Sequence, residues 1–167
     1  MRKIISLLLF SLSVILLMCG CSQSDGFSPP KIKSDFSSQA QIEYNGISIS
    51  ADVNALKENT VSITITEPPT LKGLSYRFTD STLKMGYNGL DCTADELFIP
   101  SDGFASCLYK ILMSIGKNDF TFDKQQDEIS QFHGRTEQTE YSFTADNKTG
   151  RILGITATKP DMTVNFK

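Results

Sequence analysis

The chain has 167 residues, 40% of them hydrophobic and 21% charged, with 16 basic and 19 acidic side chains and a formal charge of −3. That length holds one domain rather than two, and the composition excludes a wholly disordered chain. A net acidic balance excludes nucleic acid as a partner and disfavours anionic headgroups, since both select clustered Lys and Arg.

The chain opens with Arg2 and Lys3, followed by an apolar run from Ile4 to Met18 that includes three serines and exits at Gly20. Charge, short apolar core and small-residue exit describe a secretory signal over residues 1–20. A run of 15 residues is shorter than the roughly 20 that a membrane span needs. Met18-Cys19-Gly20-Cys21 resembles the lipobox of bacterial lipoproteins, with a small residue just before Cys21. That resemblance implies cleavage after Gly20, acylation of Cys21, and a protein held by its N-terminal lipid on the extracytoplasmic face of a bacterial membrane. Cys19 fits less well, because Met18 would stand where a small residue belongs. Loss of Arg2 and Lys3 leaves 14 basic residues against 19 acidic ones, a formal charge of −5. Membrane contact is therefore expected through acyl chains, not a basic face.

Residues 21–38 read as the lipidated cysteine and a flexible tether: six serines and Pro29–Pro30 occur with no sustained periodicity. A folded domain is expected over 39–167. In "EYNGISIS" (43–50) the apolar residues change from even to odd positions at Asn45–Gly46. A two-residue type I′ turn explains the change, because it sets Tyr44 opposite Ile47, Ile42 opposite Ile49 and Ala40 opposite Ala51 on one face. The alternative is one long strand with a bulge at Gly46. "YNGL" (87–90) repeats the pattern around Asn88–Gly89, pairing Tyr87 with Leu90 and Met85 with Cys92. The similarity stops after nine residues, so it marks two alike hairpins and not a repeated domain.

Val61, Ile63 and Ile65 alternate until Pro68–Pro69 ends the strand. Leu74, Tyr76 and Phe78 are expected to face Leu83, Met85 and Tyr87 across the loop Thr79–Thr82. Further strands are read at Phe120/Phe122, Ile129–His133, Tyr141/Phe143, Leu153–Ala157 and Met162–Phe166, with turns at 145–151 and Pro160–Asp161. One segment departs from period two. Apolar residues at 104, 107, 108, 111, 112 and 115 have helical spacing, with Ser101 or Asp102 placed to cap the start and Gly116 the end. About nine strands and one amphipathic helix result, a mainly β fold of α+β class.

Catalytic patterns are missing from the sequence. His133 is the lone histidine, without neighbours at metal-ligand spacing. There is no Gly-x-Ser-x-Gly elbow, phosphate-cradling glycine loop or His-Glu-x-x-His motif. Asp95, Glu96 and Asp102 lack the alternation of a calcium loop, and Asn147-Lys148-Thr149 reads as turn chemistry. No enzyme activity, cofactor or metal is expected. Cys92 and Cys107 form an even pair in a secreted domain. They are either a bridge pinning helix to sheet, worth about 3 kcal/mol for a 15-residue loop, or two small apolar side chains.

An early Tyr-x-Gly hairpin, "ITEPPTLKGLSYRF" (64–78), "YNGL" (87–90), a helix after "IPSDGF" and "DNKTGRILGI" (146–155) occur in this order. In this the chain resembles the outer-membrane lipoprotein-carrier superfamily (LolA/LolB-like) over about residues 36–167. The resemblance implies a strongly curved antiparallel half-barrel wrapping an amphipathic helix, with acyl chains or a lipidated protein held between them. Carried onto this sequence, the cavity wall would comprise Ile49, Ile63, Tyr76, Phe78, Met85, Tyr87, Leu108, Leu112 and Phe143. The same side chains are equally suited to ordinary core packing. The functional alternatives are therefore a hydrophobic-ligand binder and a structural or regulatory envelope protein with a filled core that binds another protein.

Overall fold

A computed structural model describes residues 28–55, 60–79, 82–95 and 103–167. The signal segment and Cys21 lie outside these residues. Among these residues eleven strands and one helix follow in chain order: β1 (Phe36–Tyr44), β2 (Ile47–Ala55), β3 (Thr60–Glu67), β4 (Ser75–Thr79), β5 (Thr82–Tyr87), β6 (Leu90–Asp95), α1 (Phe104–Gly116), β7 (Phe120–Gln126), β8 (Ile129–Arg135), β9 (Glu140–Asp146), β10 (Ile152–Thr158) and β11 (Asp161–Phe166).

All eleven strands form one sheet in the order β6-β5-β4-β3-β2-β1-β11-β10-β9-β8-β7. Two antiparallel meanders are thus sewn together by the first and last strands, with Ala40 opposite Phe166 and Tyr44 opposite Met162. The sheet is not closed, so β6 and β7 are its free edges. α1 connects those two edges, and its chain must cross the concave face to do so. Helix and sheet therefore bury each other's apolar sides, the architecture that the sequence resemblance implied.

Both asparagine–glycine turns form as expected. Asn45 and Gly46 have φ of +47° and +79°, and Asn88 and Gly89 have +50° and +81°. Positive φ at both central positions defines the type I′ turn, and glycine takes the second without a Cβ penalty. The first hairpin pairs Tyr44 with Ile47, Ile42 with Ile49 and Ala40 with Ala51, which rules out the bulged single strand. In the second, Tyr87 opposes Leu90 and Met85 opposes Cys92.

Other expectations are corrected. The described residues form eleven strands where about nine were expected, and each coincides with an apolar alternation or hairpin arm already named from the sequence. β4 and β5 pair as far as Thr79 and Thr82, so the connection is two residues shorter at its ends than the loop Thr79–Thr82 suggested. Strand pairing begins at Phe36, before the boundary drawn at 39. Lys33 already bridges to Arg151, its N–H donating to the Gly150 carbonyl at 2.9 Å. The helix starts from Gly103, with no side-chain capping bond there; Ser101 and Asp102 are outside the described residues. Gly116 is the last helical residue, and the left-handed conformation at the helix exit falls to Asn118 (φ +58°). Asparagine tolerates it because its short polar side chain bonds locally.

The core is continuous from the helix into both halves of the sheet. Leu108 and Ile111 are wholly buried, and each such side chain contributes about 1.5–3 kcal/mol by leaving water. Tyr109 stacks on Phe78 at 4.5 Å between centroids. In the second half, Phe132 and Phe143 stack at 4.8 Å, and Phe120 meets both edge-on. Tyr141 donates its hydroxyl to Ser114 Oγ at 2.9 Å, tying β9 to the last turn of α1. The absence of a side chain at Gly134 makes room for that ring, for a Cβ there would lie 2.4 Å from the Tyr141 hydroxyl.

Candidate functional site

The nine wall residues divide into two groups. Ile49, Ile63, Phe78, Leu108, Leu112 and Phe143 are at most 5% exposed. All six belong to one cluster of buried apolar side chains, in which the protein's own residues pack against each other. Tyr76 and Met85 are only partly buried, and Tyr87 is 37% exposed.

These three lie together for a topological reason. α1 enters the concave face beside β4, where Phe104 packs edge-on to Tyr76 at 5.6 Å and against Tyr44 at 6.0 Å. It then turns toward β8 and β9. The inward side of the β5–β6 hairpin is thus left beyond the helix. There Met85 opposes Cys92 and Tyr87 opposes Leu90, on the same side as the buried Phe78 and Leu83. Leu90 is 76% exposed and Cys92 is exposed as well. The Tyr87 hydroxyl donates to the Thr70 carbonyl at 3.0 Å, which anchors the ring beside the loop after β3. An apolar strip therefore runs from Phe104 and Tyr76 outward over Met85 and Tyr87 to Leu90. Burial raises the pKa of the Tyr76 phenol, so it remains a neutral part of this surface. Leu90 was missing from the wall expected from sequence, although the pairing of 87 with 90 already placed it on that face.

Of the two readings left open for Cys92 and Cys107, the structure does not form the bridge; both are free thiols. Cys107 points to the other side of the helix, toward Tyr44, Asn45, Thr139 and Pro160, whereas Cys92 sits on the edge strand. Burial pushes the Cys107 thiol up to about 11, opposed in part by the charge of Lys110.

The convex face carries polar side chains. His133 Nδ1 lies 2.5 Å from Asp123 Oδ1, and both groups remain partly open to solvent. Asp123 shares its face of β7 with Thr121, the cross-strand partner of His133. His133 borders a shallow hollow of about 690 Å3 with Thr121, Arg135, Glu140 and Ser142, whereas Asp123 is not part of its lining. Among the described residues no hydrogen bond joins the His133 ring to Ser142, its cross-strand neighbour. No group of three metal-ligating side chains occurs among the described residues; Glu96 and Asp102 of the acidic group lie outside them. Asn147-Lys148-Thr149 is a turn: Asp146 Oδ1 accepts from the Lys148 and Thr149 N–H groups and the Thr149 hydroxyl. These bonds hold its carboxyl below the usual range, the Thr149 hydroxyl first among them.

No protein-family model and no curated protein sequence matches the chain. Among solved structures, a conserved protein from Thermus thermophilus, described as uncharacterized, superposes with a TM-score of 0.51 at 10% identity, over 78% of this chain and 74% of that one. A LolA superfamily protein from Nitrosomonas europaea superposes with a TM-score of 0.40 at 8% identity, over 82% of this chain and 86% of that one. At 10% identity the Thermus likeness concerns the fold alone.

Proposed function

We propose that the chain is a non-enzymatic, lipid-anchored envelope protein that holds the acyl part of a lipid, or of a lipidated partner, along the open flank of its sheet–helix cleft. The anchor is the reading of Cys21 from sequence. The observation that carries the binding half is the apolar strip Tyr76–Met85–Tyr87–Leu90, on the concave side yet beyond the helix. Two of its members are partly buried and two exposed. An extended chain laid there gains roughly 0.8 kcal/mol for each methylene it buries. A buried terminus is not needed, because the six innermost wall residues are occupied with one another. The strip lies toward the same strand ends as the Asn45–Gly46 turn, whereas the chain enters β1 from the opposite end.

Native mass spectrometry of the protein purified from a lipid-containing host tests this. A co-purifying acyl species, absent from a folded Leu90→Asp variant, is the expected result. Clean apo protein that takes up no added fatty acid would overturn it. A second reading is then favoured by β6 itself. This free edge strand, largely exposed, can accept an added strand from a partner protein beside Leu90 and Cys92. A photocrosslinker on Cys92 would capture that partner.

A further inference from the structure

A second site stands apart from the apolar strip and does not depend on the acyl-binding reading. The Asn45 turn, the loop 136–139 and the Lys159–Pro160 turn surround a hollow of about 470 Å3 that opens over one side of α1. The buried Cys107 and the Tyr44 ring contribute apolar lining, and Lys110, Lys159, Asn45 and Gln138 supply the groups able to donate hydrogen bonds. Lys110 follows Cys107 by three residues, which sets both on one helix face. It is half-buried, whereas Lys159 stands exposed in its turn.

Charge makes the hollow unusual on this molecule. Acidic residues outnumber basic ones in the chain, yet two lysines and no carboxylate of the described residues line the hollow. Glu43, Glu137 and Asp161 adjoin lining residues in sequence but are not part of the lining. Among the described residues the ion pairs join Lys84 to Asp91, His133 to Asp123 and Lys148 to Glu128, and neither Lys110 nor Lys159 enters one. A half-buried ammonium that has given up part of its hydration is stabilised by an anion. The volume falls within the range of small-ligand pockets, and two lysines balance the charge of about −1.5 to −2 on a phosphate monoester.

We propose that this hollow binds a phosphate monoester, with Lys110 and Lys159 donating to its oxygens and the Asn45 and Gln138 amides completing the shell. The ester is either a small soluble molecule or the headgroup of a lipid whose chains remain outside. Calorimetric titration of the full chain in non-ionic detergent tests it, with glycerol 3-phosphate and dihexanoyl phosphatidic acid as probes. Saturable one-to-one binding is expected, weakened roughly tenfold or more by Lys110→Gln and by Lys159→Gln, the loss of one charge-assisted hydrogen bond. Lys117→Gln, at the exposed helix exit, should leave it unchanged. Equal affinity for the two probes assigns a soluble ester, and tighter, Lys159-dependent binding of phosphatidic acid assigns a lipid headgroup. Lys159→Gln alters an exposed turn side chain, so it decides the matter even if Lys110→Gln fails to fold. Failure of both probes to saturate, or affinity unchanged in Lys159→Gln, overturns the proposal. Neither result bears on acyl binding at the β5–β6 strip.

Discussion

Truncation of Phe143 separates a filled core from a ligand-lined one. The ring is 1% exposed, stacks on Phe132 at 4.8 Å and an 11° interplanar angle, and receives Phe120 edge-on at 5.1 Å. Phe143→Ala removes the central member of this group, and the sheet backbone behind it cannot collapse to close the space. Such truncations cost about 3–5 kcal/mol, a large share of the roughly 5–15 kcal/mol that separates folded from unfolded domains. With a urea dependence near 2 kcal/mol per molar, the unfolding midpoint should fall by about 1.5–2.5 M. The chain has no tryptophan, so far-ultraviolet circular dichroism is the suitable readout. Leu90→Ser is the matched control: at 76% exposure it should stay within about 0.5 kcal/mol of the parent, while losing any acyl ligand. A Phe143→Ala midpoint within roughly 0.5 M of the parent would refute the packing argument. The ring would then face space that a ligand fills.

Two further perturbations probe the chain entry and the helix. Gly150 has φ of +69°, and a Cβ there would lie 1.9 Å from the Lys31 carbonyl oxygen. Gly150→Ala should displace the segment before β1 and accelerate tryptic cleavage after Lys31 and Lys33; an unchanged cleavage rate would contradict that contact. Cys92 is exposed, whereas the Cys107 thiol is buried and pushed up to about 11. A raised pKa favours the neutral thiol, and alkylation needs the thiolate. Peptide mapping after iodoacetamide treatment at about pH 8, just below the ordinary thiol pKa, should find Cys92 modified and Cys107 spared. Labelling of Cys107 should rise as pH approaches about 11. Equal labelling of the two in the milder treatment would remove the burial argument.

Much of the sheet was legible because its rules are local. Asn45–Gly46 and Asn88–Gly89 impose a turn whose register follows by counting, and that count placed Tyr44, Ile47, Tyr87 and Leu90 correctly. The helix at 104–116 was readable from its 3.6-residue spacing. Even the short strands β4 to β6 were readable, because Tyr76, Met85 and Cys92 keep a two-residue alternation through the turns that join them. Helix capping escaped, because Gly116 and Asn118 both permit an exit and the path into β7 selects between them.

The sequence by itself determined the strand-and-helix alphabet, the two hairpin registers and the apolar face of α1, since each depends on residues a few positions apart. Only the tertiary structure decided what those faces meet. The direction in which α1 crosses the sheet separates Phe143 and Leu112, sealed in the core, from Tyr87 and Leu90, left beyond the helix. The same crossing turns Cys107 away from Cys92. It also brings Lys110 toward Lys159, 49 residues further along the chain. Periodicity records which side of an element is apolar; the closure of β1 on β11 and the path of one helix set which of those sides remain uncovered.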